Sequence, residues 1–325
     1  MTETQKKSVK AIGLLSGGLD STLAVKLLLD QNVDVIAFHM TTPFCTCTRK
    51  GCGHTASHIA KQYGISIKNM VAGPEYIEMV KKPKHGYGSN MNPCIDCRIF
   101  LFRKAKTYME EIGAQFIFTG EVLGQRPMSQ HRRAMSCIER ESDLEGLVLR
   151  PLSAKLFSPT IPEENGWVDR EKLLAIEGRR RLPQMELAAK VGLEDYACPA
   201  GGCRLTDPQF AKRLKDAFDH GEYTLQDIQL LKHGRHVRFP SGAKVVIGRN
   251  EEENAILRGF FNPGDIAMEV MGVGSPFLLL KKQNGKEDIK NASTFCLRYS
   301  DAKDGDAQMK FIHGDKEELI WFSSL

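Results

Sequence analysis

The feature that most constrains this chain is a glycine turn between an apolar run and a stretch of helical periodicity. Residues 14–22 read Leu-Leu-Ser-Gly-Gly-Leu-Asp-Ser-Thr. Two adjacent glycines let the backbone bend so that the N–H groups of Gly17, Gly18 and the following helix start face one point. Convergent N–H groups bind anions, and the segment is therefore predicted to be a phosphate-binding turn between a strand and a helix.

Side chains of the turn indicate that the anion is a nucleotide with its metal ion. Ser16 and Ser21 add hydroxyl donors, whereas Asp20 is a poor direct partner for phosphate. Its presence predicts Mg²⁺ between the carboxylate and the phosphates of ATP. His39 ends an apolar run and is expected either to contact adenine or to be a satisfied polar residue. The residues expected to bind ATP are Ser16, Gly17, Gly18, Asp20, Ser21, Thr22, His39 and Gly120.

Length and charge restrict the class of protein. The chain has 325 residues, more than one typical core, so at least two domains are expected. No apolar run approaches the roughly 18 residues of a membrane span, and residues 1–10 are too polar for a secretory signal. We therefore expect a cytoplasmic protein without a membrane partner. The net charge of +5 is compatible with RNA binding and equally with a solvated surface.

Strand and helix patterns alternate along the first half of the chain. Such alternation predicts an α/β fold with a doubly wound parallel sheet, whose ligand lies at the carboxyl ends of the strands. Residues 1–160 are expected to form this ATP-binding domain. The strand patterns cover residues 9–15, 33–40, 65–71 and 115–119, and the helical patterns cover residues 21–29, 56–63 and 99–112.

Two further regions are predicted after residue 160. Residues 161–207, helical in pattern over 169–192, form a connector that carries a cysteine pair. Residues 208–325 form a smaller α+β domain that begins with two helices and a hairpin turned at Ser241 and Gly242. In this domain Asn250 is expected to cap a short helix with Glu253 as its box partner.

The nine cysteines favour metal or redox chemistry, because an odd number in a chain without an export signal argues against a disulfide framework. Cys94 and Cys97 form a C-x-x-C motif. Cys137 and Cys296 stand alone and are expected to be small buried hydrophobic residues. The other cysteines are Cys198 and Cys203, which flank Pro-Ala-Gly-Gly, and Cys45, Cys47 and Cys52, which with His54 form either a second tetrahedral metal site or a group of free thiols.

The turn and the C-x-x-C motif resemble known enzymes. Ser-Gly-Gly-Leu-Asp-Ser, residues 16–21, resembles the PP-loop of ATP pyrophosphatases, whose fold is that of the adenine nucleotide alpha hydrolases. Asn-Pro-Cys-Ile-Asp-Cys, residues 92–97, followed by Phe-Thr-Gly, residues 118–120, resembles the tRNA sulfurtransferases of the MnmA type over residues 1–205. The resemblance implies that a uracil carbonyl oxygen of tRNA is adenylated and replaced by sulfur, at O2 or O4.

The same resemblance assigns roles to the cysteines. By position Cys97 takes the essential thiol of the family, with Asp20, Cys94, Cys198 and Cys203 as further catalytic residues. Cys94 and Cys97 with Cys198 or Cys203 also match the three-cysteine set by which PP-loop thiolases hold a [4Fe-4S] cluster. A persulfide on a thiol pair is the alternative. The implied partners are tRNA and a sulfur donor, either free sulfide or a cysteine desulfurase or persulfide carrier, and a homodimer is compatible.

Basic segments are the expected RNA contacts. Arg126, Arg132 and Arg133 follow the strand that ends at Gly120, and arginine suits phosphate or an extruded base, although an exposed basic loop has the same composition. The run 179–181 is expected to be a solvated face. Residues 247–254, Ile-Gly-Arg-Asn-Glu-Glu-Glu-Asn, resemble the RNA-binding module of the NFACT family, and a stabilising appendage is the alternative.

Two other functions fit the same residues. A PP-loop ligase that forms an amide or a nucleobase would use the C-x-x-C motif as a structural zinc site. A non-catalytic RNA-binding factor would depend on the C-terminal domain.

Overall fold

The computed structural model describes residues 9–45, 52–193, 203–303 and 306–323, with the side chains of Cys52 and Gly53 left out. The chain divides into two compact units, residues 1–208 and 209–325. Residues 161–207, expected to be a connector, fall within the first unit. None of the helices in the described ranges has the length and apolar composition needed to cross a membrane.

A parallel sheet of five strands forms the centre of the first unit, in the order β3-β2-β1-β4-β5. Strand β1 pairs with both β2 and β4, so the direction of winding reverses between β1 and β4. Such a reversal opens a crevice at the carboxyl ends of these two strands. The predicted doubly wound fold is confirmed. The strands are β1 Lys10–Leu14, β2 Asp34–Thr41, β3 Ile67–Val71, β4 Phe116–Thr119 and β5 Val148–Leu149.

Helices cover both faces of this sheet. Successive residues of β1 illustrate the arrangement, because Ala11 packs in one apolar cluster and Ile12 in another. The first cluster includes residues of helices α1 and α2, and the second includes residues of α4 and α5. The helices are α1 Leu19–Leu29, α2 Cys52–Gln62, α3 Pro74–Lys81, α4 Cys94–Glu111, α5 Arg132–Glu141, α6 Ile161–Glu164 and α7 Leu182–Lys190.

Two segments of the first unit differ from the expected secondary structure. Helix α4 begins at Cys94, five residues earlier than its apolar pattern indicated, so the C-x-x-C motif forms the first helical turn. Residues 169–192 contain a single 3₁₀ turn, Arg170–Lys172, before α7. Between them the N–H groups of Leu174 and Ile176 donate to the carbonyl groups of Pro151 and Leu152, which holds this stretch extended. Long-range backbone bonds therefore override the local helical periodicity.

The second unit contains an antiparallel sheet of six strands in the order β11-β10-β8-β9-β7-β6, which confirms the α+β expectation. Helix α11 packs on the sheet and contributes the fully buried Cys296 to its core, as expected for that cysteine. This helix was not predicted. The elements are α8 Pro208–Asp219, α9 Leu225–Leu230, β6 Arg235–Arg238, β7 Lys244–Ile247, α10 Glu251–Arg258, β8 Ile266–Val270, β9 Leu278–Lys281, α11 Lys286–Arg298, β10 Ala307–His313 and β11 Lys316–Phe322.

Candidate active site

The glycine turn connects the carboxyl end of β1 to the start of α1. Gly17 has a φ of +79°, and a Cβ there would lie 3.0 Å from both Thr55 and the backbone of Ala56, so glycine is required. The Ser21 hydroxyl donates to the carbonyl oxygen of Gly18 at 2.9 Å, and the Thr22 hydroxyl donates to the same oxygen at 3.1 Å. These bonds fix the turn internally. Because Gly18 has no side chain to cap α1, the first N–H groups of the helix are left for a ligand.

The end of β4 lies directly against this turn. A Cβ on Gly120 would be 2.4 Å from the backbone carbon of Asp20 and from the backbone nitrogen of Ser21. No side chain fits at such a distance. Gly120 therefore allows the end of β4 to approach the start of α1 at the crevice.

A cavity of about 260 Å³ occupies this crevice. Ser16, Gly18, Asp20 and Ser21 of the turn line one side of it, in agreement with the expectation that the site lies at the carboxyl ends of the strands. Three cationic side chains also line it. These are Arg98 of α4, Arg126 of the segment after β4, and Arg181 just before α7.

Asp20 has the environment of a cation ligand. Its Oδ2 lies 3.3 Å from Nε2 of Gln125 and 3.5 Å from Nη2 of Arg181. Its Oδ1 is buried and has no partner within hydrogen-bond distance among the described residues, although the buried Gln184 side chain is a polar neighbour of this carboxylate. Burial raises the pKa of Asp20, and the Arg181 charge opposes this effect. A buried, unpaired carboxylate oxygen fits Mg²⁺. Arg181, expected on a solvated face, instead lies beside this carboxylate.

The thiol of Cys97 lies in the first turn of α4, half-buried. The hydroxyl group of Tyr76 in α3 donates a hydrogen bond to its Sγ at 3.0 Å. Burial raises the pKa of the Cys97 thiol, whereas the Tyr76 hydrogen bond and the Arg98 charge oppose that shift. Tyr76 was not singled out in the sequence, because nothing local connects it to a cysteine 21 residues away.

Four thiols gather at this place. Cys94 and Cys45 both raise the pKa of Cys97 through their charge, so both lie within electrostatic reach of its thiol. Burial raises the pKa of Cys203 to about 12, and Cys97, Cys45 and Cys94 add to the shift. Cys45 was expected in a separate site or as a free thiol, but it lies with the C-x-x-C motif. Cys47 and Cys198 lie outside the described residues, as does the side chain of Cys52.

The spacing of these thiols bears on the kind of metal group that they can hold. Donor atoms around a single ion lie within about 4.8 Å of one another, and no three thiols of the described residues satisfy this condition. Among the described thiols, no three therefore lie close enough to bind one zinc ion together. A four-iron cluster takes its thiolates on different irons, and Cys94, Cys97 and Cys203 supply donors of that type.

Arg126 connects the thiols to the glycine turn. Burial and the charge of Arg98 lower the pKa of its guanidinium group, and Cys94, Glu121 and Asp20 oppose the shift. A single side chain thus lies within electrostatic reach of a thiol and of the turn carboxylate. Glu121 extends the link, with its Oε1 3.3 Å from Nε of Arg98 and its Oε2 3.2 Å from Nε of the buried Arg150. The turn and the thiols share one charged environment.

Comparisons with known proteins show a similarity for one segment of each unit. Residues 6–155 match the family model described as thiamine biosynthesis protein (ThiI), and residues 234–319 match the NFACT protein RNA binding domain. The chain is similar to tRNA sulfurtransferases. It is 30% identical over 145 residues to a probable tRNA sulfurtransferase of Thermococcus kodakarensis, covering 44% of this chain and 36% of that protein.

A second curated relative and two solved structures extend the comparison. The tRNA-specific 2-thiouridylase MnmA of Leptospira interrogans is 30% identical over 133 residues, or 34% of this chain and 33% of that protein. A 4-thiouridine synthetase in complex with RNA and bound ATP has a TM-score of 0.39 at 21% identity, over 68% of this chain and 53% of that chain. The U34-tRNA thiolase NcsA of Methanococcus maripaludis with its [4Fe-4S] cluster has a TM-score of 0.36 at 20% identity, over 71% of this chain and 75% of that chain. This chain spans about a third of the length of the curated relatives that it matches.

Within the sulfurtransferase-like region, three expected ligand residues outside the glycine turn do not line the cavity. His39 is buried, with Nδ1 2.8 Å from the carbonyl oxygen of Leu15 and Nε2 3.4 Å from the Thr41 hydroxyl, so an adenine contact would have to replace one of these bonds. Arg132 and Arg133 are exposed in the first turn of α5, and the guanidinium of Arg132 lies 5.1 Å from the ring centre of Phe157. Of the three arginines expected to contact RNA, Arg126 lines the cavity.

In the NFACT-like region, the Gly-Arg-Asn segment stabilises the fold. A Cβ on Gly248 would lie 2.0 Å from Oδ1 of Asn254, and this oxygen accepts a hydrogen bond from the N–H of Phe277 at 2.9 Å. Asn250 caps α10 as predicted, since its side chain accepts from the N–H of Glu253 at 2.9 Å. The predicted capping box differs in the partner of Glu253, because this carboxylate accepts hydrogen bonds from the N–H and the guanidinium group of Arg249.

Proposed function

We propose that this chain is an ATP-dependent tRNA uridine thiolase whose cavity brings the nucleotide and the sulfur to one uracil carbonyl group. The observation that carries the proposal concerns Arg126, which lines the cavity together with Asp20 and whose guanidinium pKa is lowered by burial, an effect that the charge of Cys94 opposes. The similarity to tRNA sulfurtransferases over 145 residues supports the same reaction class.

The glycine turn is the proposed site of adenylation. Backbone N–H groups at the start of α1, with Arg126 and Arg181, would stabilise the phosphates of ATP, and the unpaired Oδ1 of Asp20 would hold Mg²⁺. The uracil carbonyl oxygen attacks the α-phosphorus, and pyrophosphate leaves. This activation is needed because oxide is a very poor leaving group, whereas AMP carries the oxygen away readily.

The thiol group is the proposed site of sulfur delivery. The proximity of Cys203 to Cys94 and Cys97 supports it as the third cysteine of the set, and Cys45 adds a fourth thiol. A [4Fe-4S] cluster held by three thiolates would supply an iron open to hydrosulfide. The Tyr76 hydroxyl and Arg98 favour the thiolate form of Cys97, which is the form that binds iron or carries a persulfide.

We further propose that residues 209–325 help to bind the tRNA. The match of residues 234–319 to an RNA-binding domain supports this role. The exposed Arg132 and Arg133 on the first unit would add phosphate contacts. The sulfur donor in this proposal is free sulfide or a persulfide carrier.

The test is a reconstituted reaction with anaerobically purified protein, ATP, Mg²⁺, sulfide and tRNA. We expect pyrophosphate release and a thiouridine that mass spectrometry of nucleosides assigns to O2 or O4. Cys97→Ser should abolish the thiouridine while pyrophosphate release persists. Cys296→Ala, which alters a thiol in the other unit, should leave both products at the wild-type level. Absence of tRNA-dependent pyrophosphate release from the wild-type protein would disprove the proposal. Full thiolation by Cys97→Ser would disprove the cysteine assignment.

A further inference from the structure

A second set of metal-ligating side chains lies outside the cavity. His85, Cys137 and Glu141 each offer one donor atom, and all three atoms lie within 4.8 Å of one another. Cys137 and Glu141 are one turn apart in α5, whereas His85 belongs to the segment before α4. None of the three lines the cavity of the candidate active site. Cys137 was expected to be a buried hydrophobic residue, but it is half-buried and faces these two polar groups.

The distances agree with a single tetrahedral ion. Zinc bonds of about 2.0 Å to oxygen and nitrogen and about 2.3 Å to sulfur place two tetrahedral donors roughly 3.3 to 3.5 Å apart. Here Nε2 of His85 lies 3.0 Å from Oε1 of Glu141, and Sγ of Cys137 lies 3.8 Å from the same oxygen. An ion pair between His85 and Glu141 accounts for the first distance, and a hydrogen bond from the Cys137 thiol accounts for the second. Because both contacts meet at one carboxylate oxygen, the three donor atoms lie close enough together to share one ion.

Neighbouring groups hold the donors in position. The buried Asp96 accepts hydrogen bonds from the N–H groups of Lys84 at 2.9 Å and His85 at 3.0 Å, which fixes the backbone that carries the imidazole. Arg103 donates to the carbonyl oxygen of Glu141 at 3.0 and 2.7 Å. Nζ of the exposed Lys84 lies 2.8 Å from Oε2 of Glu141, which leaves Oε1 for a metal. Outer partners of this kind orient the ligands of metal sites.

We propose that His85, Cys137 and Glu141 bind one zinc ion, with water as the fourth ligand. A set of one nitrogen, one sulfur and one oxygen donor suits Zn²⁺, whereas Mg²⁺ and Ca²⁺ require oxygen ligands. The ligands of this site are distinct from those of the proposed thiolation site, because no residue of the turn or of the four-thiol group is among them.

The ion would link the segment that precedes the C-x-x-C motif to helix α5. Asp96, which holds the His85 backbone, stands between Cys94 and Cys97 in the sequence. Farther along the same segment, Asn90 Nδ2 donates to the carbonyl oxygen of Thr206 at 2.7 Å, and the N–H of Met91 donates to that of Leu205 at 3.1 Å. A metal at His85 therefore stabilises a segment that contacts the neighbours of Cys203.

Cobalt substitution tests the site directly. Full-length protein in which every cysteine except Cys137 and Cys296 is replaced by serine, prepared without iron under anaerobic conditions, is titrated with Co²⁺. We expect a thiolate-to-cobalt charge-transfer band that disappears when Cys137→Ser is added, whereas Cys296→Ala in the same background leaves it unchanged. A band that is absent from this background, or that persists after Cys137→Ser, would overturn the proposal.

Zinc affinity provides a second measurement that does not depend on the Cys137 variant folding. In competition with a chromogenic chelator, Glu141→Gln and His85→Asn should each weaken zinc binding by at least about tenfold, as expected when a metal site loses a ligand or its support. The matched control is Glu145→Gln, an exposed carboxylate just beyond α5. Equal affinity in all three variants would also overturn the proposal. Neither measurement uses thiolation, so a failure here is distinct from a failure of the proposed function.

Discussion

The nucleotide side and the thiol side of the cavity differ in the sequence separation of their residues. On the nucleotide side, Ser16, Gly18, Ser21 and Thr22 bond to one another within a single turn. On the thiol side, three distant segments meet, and backbone bonds such as that from the N–H of Arg204 to the carbonyl oxygen of Phe44 join them. The glycine turn can form together with helix α1, whereas the thiol group requires the whole unit to be folded. The two sides should therefore fail independently.

The strongest test of this independence is Asp20→Asn. The amide cannot bind Mg²⁺ as the carboxylate does, so tRNA-dependent pyrophosphate release should fall by about 10²–10³-fold, the effect of removing one stabilising group from a transition state. Iron and sulfide contents should remain those of the wild-type protein. The matched control is Asp30→Asn at the other end of α1, which removes an exposed ion pair with Lys26 and should change neither quantity. Loss of iron from Asp20→Asn would contradict the separation.

Gly120→Ala and Gly18→Ala should separate packing from ligand binding on the nucleotide side. The added methyl group at Gly120 would be 2.4 Å from backbone atoms of Asp20 and Ser21, so the free energy of unfolding should fall by about 1–3 kcal/mol or more. At Gly18 the nearest atom is the Ser16 hydroxyl oxygen at 3.5 Å, so stability should be retained while ATP binding weakens. Thermal unfolding and ATP titration measure these effects. Equal stability of the two variants would show that β4 and the turn do not pack as described.

Asn90→Gly should weaken the thiol side alone. The change removes the hydrogen bond to the carbonyl oxygen of Thr206, which contributes about 0.5–1.5 kcal/mol. Glycine accepts the positive φ of 56° at this position, so backbone strain is not introduced. Amide hydrogen exchange should rise over residues 203–206, and ATP affinity should be unchanged.

The control for that change is Asn32→Gly, since Asn32 has a similar φ of 61° and is exposed. Asn32→Gly should increase the entropy of the unfolded chain as much as Asn90→Gly does, but it should not change the amide exchange of residues 203–206. If both variants behave alike, the Asn90 contact does not hold the thiol segments together.

The smallest expected effect is that of Tyr76→Phe. The hydroxyl group lowers the pKa of the Cys97 thiol through its hydrogen bond, so its removal should raise that pKa further above the ordinary value. In metal-free protein the pH midpoint for alkylation of Cys97 should therefore move upward. Tyr87→Phe, which removes a hydroxyl bonded to the carbonyl oxygen of Val80, is the control. A downward shift would contradict the donor role of Tyr76.

Sequence reasoning succeeded where geometry is local. The glycine turn, the parallel sheet and the hairpin of the second unit follow from neighbouring residues, whose periodicity and glycine content determine the backbone directly. The C-x-x-C motif was singled out for the same reason. Its helix begins earlier than the apolar pattern indicates, because the first turn is occupied by polar and sulfur side chains.

What the sequence did not indicate depends on tertiary contacts. Cys45 joins a thiol group whose nearest member in sequence is 49 residues away, at Cys94. Arg181 lies beside Asp20 because backbone hydrogen bonds to Leu123, Pro151 and Leu152 hold residues 174–178 extended. A run of three arginines in the sequence does not indicate these contacts. The charged link through Glu121 and Arg150 is equally non-local. Hydrophobic periodicity describes one helix or strand at a time, so it does not indicate contacts between distant segments.

The contact at Gly120 limits how this molecule can respond to a nucleotide. Since no space separates the end of β4 from the first residues of α1, these two parts must move as a rigid block. Closure around a bound triphosphate would then come from side chains at the rim, above all Gln125, Arg126 and Arg181, swinging toward an immobile floor. Nucleotide binding would then change the electrostatic environment of the thiols through the reorientation of Arg126, without any displacement of the sheet.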